Sequence, residues 1–258
     1  MGFKRLNHIL LTHGHLDHIL GLAGLMSTFM RWEAIDEVNI YGSRHTLDRV
    51  DDLVNGVVLR GTKPPMPINL LEIKPGLIFT AERFKITAFE VDHRDSDSLG
   101  FCFEEFPRRP FLPEKAEALE IPPGPWRKDL VAGKFISLPD GRTINPEDVL
   151  GPERVGTKLV VVGDVGKPHK LLEHIRDADG LVIEATYIMN ESELASQFGH
   201  STAAEVANLA LEGHVKNLYL THISRRYRDQ DIKEEAEAIF PNSFVARDFD
   251  TYQVKHED

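Results

Sequence analysis

The amino-acid sequence predicts an α/β layered protein, and three observations carry that expectation. Short apolar runs rich in Val, Ile and Leu recur along the chain, as strands require. Stretches with apolar residues at helical spacing lie between them, and strands alternating with helices build sheets covered by helices. The third observation is where the runs stop. "HILLTH" ends in His13, "FKITAFEVDH" in His93, "KLVVVGD" in Asp164 and "NLYLTH" in His222, while "LVIEAT" carries Glu184 near its end. In layered α/β proteins functional groups gather where strands end and loops begin, so these residues are expected at a common edge.

The helical elements follow in order. Ile19 to Trp32 places Leu22, Leu25, Met26 and Phe29 on one face. Ser43 to Val54 begins with a capping serine, and "STAAEVANLALEG" offers Thr202 and Glu205 as a capping box with Gly213 as its stop. Residues Pro107 to Pro152 break the alternation. They are rich in proline and show no strong core pattern, which suits either an inserted arm or a long loop region packed on the core.

Composition bounds the function. The chain has 258 residues, 41% of them hydrophobic, enough for one large domain. Cys102 is the only cysteine, so no intrachain disulfide forms and a reducing, cytoplasmic setting is expected. No apolar run approaches the roughly 18 residues of a membrane span, and no membrane partner is expected. A net charge of -11 argues against a protein that coats nucleic acid, because phosphate binding is driven by Lys and Arg. A dinuclear metal site would add about four positive charges of its own.

The sharpest motif is "LTHGHLDHILGL". His13, His15, Asp17 and His18 fit H-x-H-x-D-H at the turn from a strand into a helix, where several side chains can point into one small volume. Imidazole and carboxylate suit zinc, with manganese or iron as other occupants. Asp17 and His18 are adjacent, so they approach a second metal more naturally than the one held by His13 and His15. His93 and Asp164 would complete the first site and His222 the second, with Asp164 bridging. Two metals sharing a hydroxide point to hydrolysis, with phosphoesters a natural substrate.

These residues together resemble the metallo-β-lactamase superfamily, and within it the tRNase Z (ribonuclease Z) family. More specific than the first motif are "GDVGKP" at Asp164, "IEATY" at Ile183 to Tyr187, "GHSTAAEVA" from Gly199, "LTHISRRY" from Leu220, and "DGRTINPEDVLGP" ahead of "GTKLVVVGD". The likeness runs from about residue 6 to the C-terminus. It implies a four-layer αβ/βα sandwich forming one hydrolase domain over residues 1–258, two Zn2+ per chain (or Mn2+ or Fe2+), a homodimer, and precursor tRNA as partner, with no DNA expected. His13, His15, His93 and Asp164 would hold one zinc, and Asp17, His18, Asp164 and His222 the other. Asp17 would also orient or deprotonate the attacking water, His200 would serve the leaving 3′ oxygen as proton donor, and Glu184 would orient His200. Metal-bound hydroxide would cut after the discriminator nucleotide, leaving a 3′ hydroxyl on the tRNA. The family's tRNA-binding arm falls where residues 107–152 lie.

The chain departs from the family's pattern in three places. It begins only a dozen residues before His13, Gly14 and Leu16 stand in the reverse of the common order, and Ile183 stands where a histidine is common. Two other readings share the same ligands: a hydrolase of small phosphodiesters, sulfate esters or lactones, and a truncated, non-catalytic partner subunit. Nucleases with a large inserted β-CASP domain are disfavoured, because the 258 residues leave no room for one. His8, His45, His169, His174, His214 and His256 have no partner pattern and are expected as surface or core residues. Arg225, Arg226, Arg228, Lys167 and Lys170 suit either phosphates or neighbouring acids. In the 107–152 segment, Lys115, Arg127, Lys128 and Lys134 are interspersed with acids, so charge alone does not argue for RNA there.

Overall fold

The computed structural model describes residues 6–32, 35–94 and 96–256. A three-stranded parallel sheet contains β1 (His8–Leu10), β2 (Val38–Gly42) and β3 (Ile68–Glu72). A second, seven-stranded sheet begins with β4 (Gly76–Thr80), β5 (Phe84–His93) and β6 (Ser96–Glu105). After a segment carrying the short hairpin β7 (Ile136–Ser137) and β8 (Thr143–Ile144), it continues with β9 (Lys158–Val161), β10 (Gly180–Glu184), β11 (Leu218–Thr221) and β12 (Ser243–Val245). Its order is β12-β11-β10-β9-β6-β5-β4; β9 to β12 run parallel, whereas β6 is antiparallel to β9.

Contacts divide the structure into two compact units. One comprises the chain up to Glu104 together with Lys158–Lys255; the other comprises Glu105–Thr157 with His256. The first unit is layered helix, sheet, sheet, helix, and the two-residue period of its strands makes the layers. In β5, Phe89 and Val91 join one apolar cluster while Ala88 joins another; in β6, Cys102 opposes Leu99 and Phe101 in the same way. The cluster holding Ala88, Leu99 and Phe101 also takes Leu10 and Ile78, and so fills the space between the sheets. Phe89, Val160, Ile183 and Leu220 pack instead on α7 (Leu172–Ile175), α9 (Ala203–Glu212) and α10 (Asp229–Glu237). On the outer face of the small sheet, Val38 and Ile40 meet Met26, Phe29, Leu47 and Val50.

Helix boundaries follow their caps. The Ser43 hydroxyl accepts a hydrogen bond from the Thr46 amide at 3.3 Å and starts α3 (Arg44–Asp51), which passes into a π-helical stretch over Asp52–Leu59. The Thr202–Glu205 capping box is formed as expected, and α9 stops at Gly213. The first predicted helix is corrected. It begins earlier, as α1 (Leu16–Ile19), is interrupted at Leu20 beside Gly21, and resumes as α2 (Gly21–Trp32). Glycine's low helix propensity makes that junction a weak point of the ladder.

The second unit contains α4 (Pro113–Ala118), α5 (Pro125–Val131) and α6 (Pro146–Val149), each with proline in its first turn. The absence of a core pattern expected for this segment is corrected: Ala116, Ile121, Leu130, Ile136, Ile144 and Val149 form a buried cluster of their own. Its apolar residues come from five short elements and the loops between them, too short for a period to show in the sequence. The helix Ser192–Phe198 (α8) belongs to the first unit and leads into Gly199 and His200.

Candidate metal centre

Parallel strands direct their C-terminal ends the same way, and this concentrates the chemistry. β5 ends on His93 and β10 on Glu184, while His222 follows β11 directly. β1 and β9 stop three residues short of His13 and Asp164, where the regular ladder gives way to a turn. The connecting backbone stays tied to its neighbours, with Leu99 N–H donating to Thr12 O and Val162 N–H to Val182 O, both at 2.8 Å.

Two donor groups meet at Asp164. In the first, His13 Nε2 lies 3.0 Å from His15 Nδ1, and His93 Nε2 lies 3.3 Å from the same atom. Asp164 Oδ2 is 3.8 Å from His13 Nε2 and 3.7 Å from His93 Nε2. In the second, His18 Nε2 is 3.4 Å from Asp17 Oδ2 and 3.3 Å from Asp164 Oδ2. His222 Nε2 stands 3.4 Å from Asp17 Oδ2 and 3.6 Å from Asp164 Oδ1. All seven sequence-predicted ligand residues are therefore brought together.

The spacing tests whether these groups suit a metal. Four donors at Zn–N and Zn–O bonds of about 2.0–2.1 Å in a tetrahedron stand about 3.3–3.4 Å from one another. The observed separations cluster around that edge. His18 Nε2 and Asp164 Oδ1 are buried without a hydrogen-bond partner, a costly state that a cation would relieve. Burial, helped by the His18 charge, lowers the His13 pKa to about 3, keeping a neutral ring with a free lone pair. For Asp164, burial works to raise the pKa, but His18, His222 and His13 outweigh it and hold the carboxyl well below its usual range. A nitrogen-rich set with a shared carboxylate fits zinc, manganese or iron.

Behind these donors lies an orienting layer. His93 Nδ1–H donates to Gly199 O at 2.7 Å, directing Nε2 at the cluster. Glu184, fully buried, is the hub of the rest. It accepts from His200 Nδ1–H at 3.0 and 3.1 Å, from Val165 N–H at 2.6 Å, from Ser201 N–H at 3.4 Å, and from the Thr186 hydroxyl. Thr186 Oγ1 in turn accepts from His222 Nδ1–H at 2.9 Å. One carboxylate thus orients His200 directly and His222 through a hydroxyl. Thr186 was missed by sequence reasoning, although it sits inside the quoted "IEATY"; one threonine gives no signal without the fold. Burial works to lower the His200 pKa, yet Glu184, assisted by Asp164, raises it overall. His222 is held at φ +54°, a strained conformation for a residue with a Cβ.

The same cleft is lined by His15, Asp17, His93, Asp164 and His200, and by Arg49 and Arg94, which the sequence did not single out. The basic residues it did single out are mostly committed to acids. Lys167 and Lys170 hold Asp92 at 3.2 and 2.6 Å, Arg226 pairs with Glu191 at 2.9 Å, and Arg228 with Asp231 at 2.6 Å. In the second unit, Arg127 caps the Ile121 carbonyl and lies over Phe111, and Lys134 is 3.5 Å from Asp129.

Comparison with known proteins gives the family. The β-lactamase superfamily domain profile matches residues 2–112. The ribonuclease Z of Bradyrhizobium sp. (strain ORS 278) is 47% identical over 253 residues, covering 98% of this chain and 84% of that protein. The ribonuclease Z of Gemmatimonas aurantiaca is 36% identical, covering 94% of this chain and 78% of its own. Among solved structures, the short form of human tRNase Z superimposes with a TM-score of 0.63 at 21% identity, over 99% of this chain and 82% of that one. The fold is the metallo-β-lactamase fold, and the chain belongs to the ribonuclease Z family of hydrolases.

Proposed function

We propose that this protein is a two-zinc endoribonuclease that cuts the 3′ trailer from precursor tRNA. The observation that carries the reading is the shared carboxylate of Asp164 between two donor groups, with the Glu184–His200 pair on the same cleft. His13, His15, His93 and Asp164 would hold one metal, and Asp17, His18, His222 and Asp164 would hold the other. Bound there, the metals supply charge stabilisation at the phosphate and acidify water. Asp17, two-thirds exposed, faces the cleft and takes the proton of the attacking water. His200, its Nδ1–H fixed on Glu184, delivers a proton to the 3′ oxygen as the P–O3′ bond breaks. The tRNA keeps a 3′ hydroxyl and the trailer leaves with a 5′ phosphate. RNA shape, rather than a base code, dominates recognition. The segment 107–152 serves as a tRNA-binding exosite, and the protein works in the cytoplasm as a homodimer.

The test is an end-labelled precursor tRNA carrying a 3′ trailer, incubated with the zinc-loaded chain and with Asp17→Ala. One cut beside the discriminator nucleotide, lost in the variant, is the expected result. Absence of that cut, together with turnover of a small phosphodiester, would transfer the assignment to a small-ester hydrolase. Removing residues 107–152 is expected to depress precursor cleavage far more than small-ester hydrolysis.

A further inference from the structure

The two arginines of the cleft differ from Lys167, Lys170, Arg226 and Arg228, which acids hold. Arg49, on α3, is half-buried, and its side chain makes no hydrogen bond or ion pair among the described residues. Its stem lies over Gly14, between the first two motif histidines: a Cβ there would stand 3.3 Å from Arg49 Cδ and 3.1 Å from Thr46 Cα. The glycine at this position, one of the chain's departures from its family's pattern, is what gives α3 and the arginine stem room beside the metal centre.

Arg94 directly follows His93 and is held at φ +48°. Its Nε–H donates to Phe198 O at 2.7 Å, and the guanidinium lies 5.6 Å from the Phe198 ring centroid. Its stem also covers a glycine, since a Cβ on Gly199 would stand 2.8 Å from Arg94 Cγ. The Nη groups have no protein partner among the described residues, so a fork of donors remains for a ligand. Both arginines therefore lie over glycines adjacent to site histidines, in the wall of one cleft, without a carboxylate to neutralise them. Lys167, Lys170, Arg226 and Arg228 are all neutralised. A half-buried cation without a partner, as Arg49 is, gains most when an anion arrives, while Arg94 is exposed and keeps its Nη donors free for one.

We propose that Arg49 and Arg94 are phosphate-positioning residues, each holding a phosphodiester group of the RNA strand that neighbours the one being cut. The assignment rests on the nuclease reading above. It supplies a local cationic grip on a chain whose net charge of -11 otherwise repels RNA.

The experiment uses the full, metal-loaded chain with Arg49→Met and Arg94→Met, and with Arg44→Met as a control. Arg44 is on the same helix, exposed and paired with Asp48 at 3.0 Å. Binding of a short single-stranded oligoribonucleotide is measured against salt in a His200→Ala background, which holds turnover down. Each Met variant is expected to weaken binding roughly tenfold and to lower the slope of log Kd on log salt by about 0.7, the value for one phosphate contact to a single strand. With His200 present, KM for precursor tRNA rises by a similar factor and kcat changes far less. Arg49→Lys and Arg94→Lys recover the slope and part of the affinity. Arg44→Met matches the parent. Unchanged slopes in both Met variants would overturn the assignment, as would Lys variants that behave like the Met ones or lose metal. Arginine-dependent slopes without any cut in precursor tRNA would remove the nuclease reading and leave only the contact of the two arginines with RNA phosphates. Normal cutting with unchanged slopes would do the reverse.

Discussion

Glu184→Gln isolates the hub of the site with almost no change in volume. The carboxylate accepts from four groups: His200, Val165 N–H, Ser201 N–H and Thr186. Glutamine keeps one oxygen and replaces the other with a donor, so whichever way the amide turns, about half of these donors face an NH2. Leaving a buried donor unsatisfied costs about 1–3 kcal/mol, so two of them cost about 2–6 kcal/mol. A folding stability of about 5–15 kcal/mol survives the lower part of that range. Urea unfolding of the metal-free chain measures it as a shift in midpoint at constant m-value. Catalysis falls for a separate reason: His200 loses its orienting acceptor, and a mispositioned general acid costs about 10²–10⁴ in kcat. If the pair acts as a unit, Glu184→Gln added to His200→Ala lowers kcat no further than His200→Ala alone. A destabilisation under about 1 kcal/mol with kcat retained would refute the hub argument. So would fully additive losses in the double variant.

Asp164→Asn removes the donor shared by both groups, and elemental analysis is expected to find the variant unable to keep a metal pair. In the parent, zinc at about a hundredfold over its Kd is expected to raise stability by about 2.7 kcal/mol, read as a higher Tm that a chelator reverses; the variant's Tm should not respond. Burial pushes the Cys102 thiol up to about 11. At pH 8 its thiolate fraction is then about 10⁻³ against about 0.2 for a free thiol, so iodoacetamide should label the native protein roughly 200-fold more slowly than the unfolded chain; labelling at the free-thiol rate would contradict the buried β6 environment.

Much of the site was legible before the fold because its residues carry their chemistry in one-letter form. Three histidines and an aspartate within six positions have few uses, and β5, β10 and β11 each deliver a ligand-type residue at or beside its last position. The capping box at Thr202 was equally plain, since a cap is a contact within four residues. Less local features were not visible. The core of the 105–157 unit draws single residues from many short pieces, which no period reveals. The link from Glu184 through Thr186 to His222 spans 38 positions, and Arg49 meets the cleft only because α3 lies against Gly14.

The sequence by itself determined the elements and the ligand types, because strand period, helix caps and donor atoms are properties of residues and their near neighbours. Only the tertiary structure decided which nitrogen of each histidine faces the centre. Imidazole has two, and for three of the histidines the choice was made by acceptors from distant parts of the chain: Gly199 O for His93, Thr186 for His222 and Glu184 for His200.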